Sequence, residues 1–185
     1  MFAFGKRVDL GSKKGKTMPK GIEIERKYII MKPEVAKLRT FTGYTKSEIT
    51  QTYLTSSDGS TRRVRKRDFG DHISYTETRK IRIDKISSEE REREISEEEY
   101  TSMLSEKRSD SAPVRKTRHT FEYMGHTVEI DIYPQWQSTC IMETELESRE
   151  ETVIYPDFIK ILREVTGEKR YSNAGMAREF PEETK

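Results

Sequence analysis

The sequence lacks most of what would mark a secreted, membrane-spanning or disulfide-stapled protein. Cys140 is the single cysteine among 185 residues, so no intramolecular disulfide can form, and a reducing, cytoplasmic compartment is expected. No apolar run approaches the ~20 residues that cross a bilayer, and the basic N-terminus lacks the apolar stretch of a secretory signal, so a soluble protein without a membrane partner is expected. Neither sign of charge dominates: 35 basic and 33 acidic residues leave +2, too little for a global field that would attract nucleic acid. Hydrophobic residues make up only 32% and charged ones 37%, so the core must be thin and the charge organised.

What the sequence does have is alternation. Glu23-Ile24-Glu25-Arg26-Lys27 lies in the stretch 22–31, and in a strand alternate side chains share a face. Glu23, Glu25 and Lys27 then point one way, and Ile24, Tyr28 and Ile30 the other. The arrangement recurs at Arg63/Arg65, Thr78/Lys80, Glu92/Glu94, Lys116/Arg118, Glu129/Asp131, Glu143/Glu145 and Lys169/Tyr171. Six or more strands with one ionic and one apolar face imply a closed or nearly closed sheet, the ionic faces turned inward around a polar tunnel and helices over the outside. Uncompensated burial of such charge costs of the order of several kcal/mol per ion, so the acidic and basic strands must be satisfied by each other, by water or by a ligand. A polyanion carrying a divalent cation answers both: carboxylates suit Mg²⁺ or Mn²⁺, and Arg and Lys clamp phosphate oxygens. A triphosphate is the candidate.

Turn and breaker residues divide the chain after the first strand into expected strands at 46–55, 60–68, 72–83, 90–96, 114–123, 126–133 and 139–147. Pro33 opens a short helical pattern through Leu38. Ser96-Glu97-Glu98-Glu99 is a capping box that starts a helix with Tyr100, Met103 and Leu104 on one face. Phe158, Ile161, Leu162 and Val165 predict a second amphipathic helix from Pro156 to Val165, with Gly167 as its stop. Residues 1–17, rich in Gly and Lys, read as a flexible extension with Met18 as an alternative start, and 18–185 as one domain.

These motifs, in this order, resemble those of the CYTH superfamily, the triphosphate tunnel metalloenzymes. The resemblance rests on Glu23-x-Glu25-x-Lys27, Gln51-Thr52-Tyr53-Leu54, Arg63-Val64-Arg65, Thr78-Arg79-Lys80, Glu92-Arg93-Glu94, Lys116-Thr117-Arg118, Glu129-Ile130-Asp131, Glu143-Thr144-Glu145 and Glu168 to Asn173. It implies an α+β, mainly β fold: an eight-stranded antiparallel closed β-barrel with a few helices outside, acting as a monomer or homodimer. It implies Mg²⁺ or Mn²⁺ held by Glu23, Glu25, Glu143 and Glu145, with Asp131. Lys27, Arg63, Arg65, Lys80, Lys116, Arg118 and Lys169 would bind the phosphate chain, and Lys27, Lys80, Arg118 and Tyr53 would serve the reaction. Hydrolysis of inorganic tripolyphosphate is the leading expectation. Alternatives are cyclisation of ATP to cyclic AMP, thiamine triphosphate hydrolysis, and a polyphosphate-binding module without turnover. Two positions depart from the family pattern: Glu90, where an Arg is common, and Thr52, where a Gly is common.

Other features read as ordinary structure. Arg62 to Arg67 could form a nucleic-acid patch, but in a strand its charges split between two faces. Gly11 to Thr17 has one residue too few between its glycines for a phosphate-binding loop. The three histidines lack metal-ligand spacing, and nothing in the sequence activates Cys140.

Overall fold

The computed structural model describes residues 22–184; the extension expected over residues 1–17 and the loop-like Gly11–Thr17 segment lie outside them. Eight strands close into an antiparallel barrel: β1 (Ile22–Met31), β2 (Thr45–Leu54), β3 (Thr61–Asp68), β4 (Ile73–Arg82), β5 (Ser87–Glu94), β6 (Val114–Tyr123), β7 (His126–Ile132) and β8 (Thr139–Glu145). Neighbours run β5-β4-β3-β2-β6-β7-β8-β1, and β1 returns to β5 through Glu23 opposite Ser88. Every expected strand is present within a few residues. Closure removes the free edges that an open sheet of this size would expose.

Register turns the local alternation into a wall. Glu25 stands opposite Glu145 and Lys27 opposite Glu143 across β1 and β8, Arg118 opposite Asp131, and Arg65 opposite Gln51. Paired residues share a face, so these side chains all point into the barrel. The outer face carries the apolar partners. Tyr28, Ile30, Phe121, Val128, Ile130 and Met142 pack with Leu38 of α1 (Val35–Leu38) and Ile159. On the other side Leu54, Val64, Tyr75 and Ile95 pack with Tyr100 and Met103 of α2 (Glu97–Met103). The expected capping box starts α2: Ser96 Oγ accepts from Glu99 N at 3.1 Å, and the Glu99 carboxylate accepts from Ser96 N at 2.9 Å.

Two expectations need correction. The helix expected over Pro156 to Val165 does not form; the segment enters as strand β9 (Ile161–Glu164), antiparallel to β1. β5 covers β1 only at Ile22–Ile24, which leaves backbone groups further along that edge in need of partners. β9 supplies them, with Val165 N donating to Lys27 O at 2.8 Å and Met31 N to Lys160 O at 3.0 Å. Ile161 and Leu162 remain exposed, so the apolar spacing there marks no buried stripe.

The interior, moreover, is polar over only part of its length. Ile29, Tyr53, Val114, Tyr133 and Ile141 continue the inward faces of their strands as an apolar cluster with Trp136, Val165 and Tyr171. Helix α3 (Asn173–Arg178) lays Met176 and Ala177 on that cluster, so the tunnel ends blind against the helix.

Candidate active site

The ionic part of the barrel encloses a cavity of about 450 Å³. Nine lysines and arginines and seven glutamates line it, so the walls are close to neutral as a whole and strongly polarised by sector. β3 and β4 supply Arg63, Arg65, Arg67 and Lys80; β1 and β8 supply Glu23, Glu25, Glu143 and Glu145. Lys27 and Arg118 stand among the carboxylates, and Lys169 with the first turn of α3 closes the inner end.

On the cationic side the arginines differ in how far they are neutralised. Arg65 and Arg67 have their nearest carboxylates, Glu92 and Glu129, only at 4.0 Å. Burial, then the neighbouring Arg63 and Arg118, push Arg65 down to about 10, a guanidinium short of negative charge. Arg63 keeps its Nε buried without a hydrogen-bond partner, a donor left over for an anion. Tyr53 contributes its ring to the apolar plug, and its hydroxyl accepts from Gln51 Nε2 at 2.7 Å at the cavity wall.

The carboxylates divide in the same way. Glu143 is bound, to Lys27 at 2.6 Å and Arg118 at 2.7 Å, and against its desolvation these two cations hold its carboxyl well below the usual range. Among the described residues Glu23, Glu25 and Glu145 make no ion pair. Burial, then Glu90, pushes Glu23 up to about 7, and burial, then Glu129 and Glu25, raises Glu145. These are oxygen donors crowded together without an ion pair of their own, which fits a hard divalent cation. No three of them already converge at metal-ligand spacing among the described residues, so holding an ion requires their side chains to draw together within the cavity.

Two residues expected in contact with ligand lie deeper. Lys116 and Asp131 are fully buried, paired at 2.5 Å, and absent from the cavity wall. Asp131 also accepts from Arg118 Nε at 2.6 Å and Nη2 at 2.7 Å. Asp131 braces Arg118 from below, and Lys116 shares that carboxylate. Sequence reasoning missed Glu90, Arg67 and Arg82 as wall residues. Glu90 and Arg67 share the inward alternation of residues that were singled out, so the signal was available for them.

Residues 21–180 match the family model of the CYTH domain. The chain belongs to the CYTH family. No curated protein matches the sequence. Among solved structures, the inorganic triphosphatase NE1496 is 24% identical with a TM-score of 0.54, covering 86% of this chain and 96% of its own. A Hippeastrum protein, HpAC1, named as an adenylyl cyclase with a dominant triphosphatase activity, is 18% identical with a TM-score of 0.50 over 69% of this chain and 81% of its own. PH1819 from Pyrococcus horikoshii is 23% identical with a TM-score of 0.52 over 73% and 80%. At these identities the likeness is one of fold, the CYTH barrel.

Within this CYTH barrel the blind end depends on one glycine. A Cβ at Gly175 would stand 2.0 Å from the Lys169 carbonyl oxygen. Gly175→Ala must therefore shift α3 or the Lys169 backbone, and is expected to lose about 1–3 kcal/mol to overpacking. Thermal melts should show the loss; an unchanged melting temperature would mean that α3 is not seated as described.

Proposed function

We propose that this CYTH protein hydrolyses a triphosphate, with inorganic tripolyphosphate as its substrate and Mg²⁺ or Mn²⁺ as its cofactor. The observation that carries this reading is the sectored cavity, with under-neutralised arginines on β3 facing unpaired carboxylates on β1 and β8. A near-neutral cavity can take up a polyanion only together with cations. Triphosphatases and cyclases are both found in the family, and the neighbours whose names state an activity include a triphosphatase. Among the described residues no aromatic side chain offers the cavity a base-stacking platform, because the Tyr53 and Tyr133 rings belong to the apolar plug.

Arg63, Arg65 and Arg67 are placed to clamp phosphate oxygens bidentately, with Lys80 and Lys169 as point charges. Lys27 and Arg118, fixed by Glu143, present donors whose orientation is set before the substrate arrives, which favours charge developing on the leaving phosphate. Glu23, Glu25 and Glu145, with Glu143, would hold the divalent ion. When bound it supplies Lewis acidity toward phosphate oxygens. The blind end of the barrel limits water, and the Tyr53 hydroxyl is positioned to orient the terminal phosphate.

The test is a single panel in which purified protein meets tripolyphosphate, ATP and thiamine triphosphate with each metal. Phosphate release should be greatest from tripolyphosphate and absent in EDTA. Cyclic AMP from ATP would replace this reading with a cyclase, and tight binding without turnover would replace it with a binding module.

A further inference from the structure

Of the carboxylates in the cavity wall, Glu90 has the least expected position. It projects from β5 directly opposite Lys80 in register, forms an ion pair with that lysine, and lies 3.3 Å from Arg63 Nη2. Its side chain is 9% exposed. Arg63 and Lys80 are thus already neutralised by an internal carboxylate, whereas Arg65 and Arg67 one and two positions along the same inner face of β3 are not. The remaining Nε of Arg63 has no partner, so Glu90 satisfies the guanidinium only in part. A carboxylate and a phosphate oxygen make the same charge-assisted contacts with Arg and Lys. A phosphate group that reaches Arg63 and Lys80 therefore has to take the place of Glu90.

Resting on the triphosphate reading above, we propose that Glu90 is a resident counter-anion that exchanges with a phosphate group of the substrate at Arg63 and Lys80 and returns to them as product leaves. Its role is to set affinity. A cavity this rich in guanidinium groups would otherwise retain pyrophosphate, the larger product of tripolyphosphate hydrolysis, as firmly as the substrate. An internal anion weakens both, and turnover gains because product escapes. The balance is one of ion exchange alone: the Glu90 contacts are replaced by phosphate contacts, and no bond is made or broken in the step.

Equilibrium binding of tripolyphosphate and of pyrophosphate to the full chain, beside steady-state kinetics, tests the proposal. Glu90→Gln keeps shape and removes the competing charge. Its dissociation constants for both anions should fall about tenfold, the size of one charge-assisted contact. Pyrophosphate should become a correspondingly stronger inhibitor, and KM should fall by more than kcat changes. Glu90→Asp retains the charge but withdraws it from the two cations, and should lie between the parent and the glutamine variant; it also serves if Glu90→Gln folds poorly. A merely structural role would lower the melting temperature of both variants and tighten neither anion. Unchanged or weaker anion binding in Glu90→Gln overturns the proposal, as does a raised metal requirement with no gain in anion affinity, which would make Glu90 a metal ligand. If the parent binds neither anion, the triphosphate reading itself fails; if the parent binds and Glu90→Gln gains nothing, only the role of Glu90 fails.

Discussion

A Glu25→Gln variant is expected to release phosphate from tripolyphosphate about a hundredfold or more slowly than the parent, and to recover part of the loss when Mg²⁺ or Mn²⁺ is raised. Glu25 sits mid-strand on β1, opposite Glu145 in register and on the same inner face as Glu23, and none of the three forms an ion pair among the described residues. Amide oxygen is a weaker ligand than carboxylate, and a Lewis-acid contribution of several kcal/mol rests on the full set of ligands. The alternative gives the opposite sign. If Glu25 only balanced charge, its removal would relieve repulsion toward the polyanion, so binding would tighten and the metal dependence would stay where it was. Because Glu25 is half-buried and makes no ion pair among the described residues, the variant should melt at or slightly above the parent temperature. Rate, metal requirement and melting temperature together separate a lost ligand from a damaged fold. Turnover within a few-fold of the parent at low metal would remove Glu25 from the metal site.

The barrel was legible because its determinant is local. A period of two repeated through β1 to β8 assigns each side chain to a face without knowledge of the partners, and Arg62 to Arg67 shows the split: Arg62 pairs outside with Glu77 at 2.7 Å, while Arg63, Arg65 and Arg67 line the cavity. The reading failed where the determinant is a distant neighbour. β9 exists because the edge of β1 beyond Ile24 needs partners, and nothing between Pro156 and Val165 encodes that need. Gly167, expected as a helix stop, instead turns the chain after β9 with φ of 79°. Depth along the strand was equally hidden. Alternation puts Asp131 on the same face as Glu129 and Lys116 on the same face as Arg118, yet only Glu129 and Arg118 reach the cavity. Alternation also treats Glu90, Glu92 and Glu94 alike, while Glu90 and Glu92 face the cavity and Glu94 does not.

Asp131→Asn is where this question of depth can be measured. The structure makes Asp131 the counter-charge to two buried cations, Lys116 and Arg118, and against desolvation those cations hold its carboxyl below the usual range. Loss of the charge leaves Lys116 without its carboxylate, and breaking a buried pair from one side costs about 3–5 kcal/mol. For a domain of this size that corresponds to a fall in melting temperature of roughly 6–20 °C. Adding Lys116→Met should restore much of the loss, because Arg118 still pairs with Glu129 and Glu143 and no uncompensated ammonium remains. The sign with pH follows from the lowered carboxyl. The stabilisation is present above the unfolded value of about 4 and disappears as pH falls through the folded one, so the gap between parent and variant should narrow in acid. Were Asp131 a metal ligand instead, the variant would melt within about 2 °C of the parent in EDTA and show its defect only as a raised metal requirement. A melting curve in EDTA at pH 7 and again well below pH 4, where the lowered carboxyl takes up its proton, decides whether Asp131 holds the barrel or the ion.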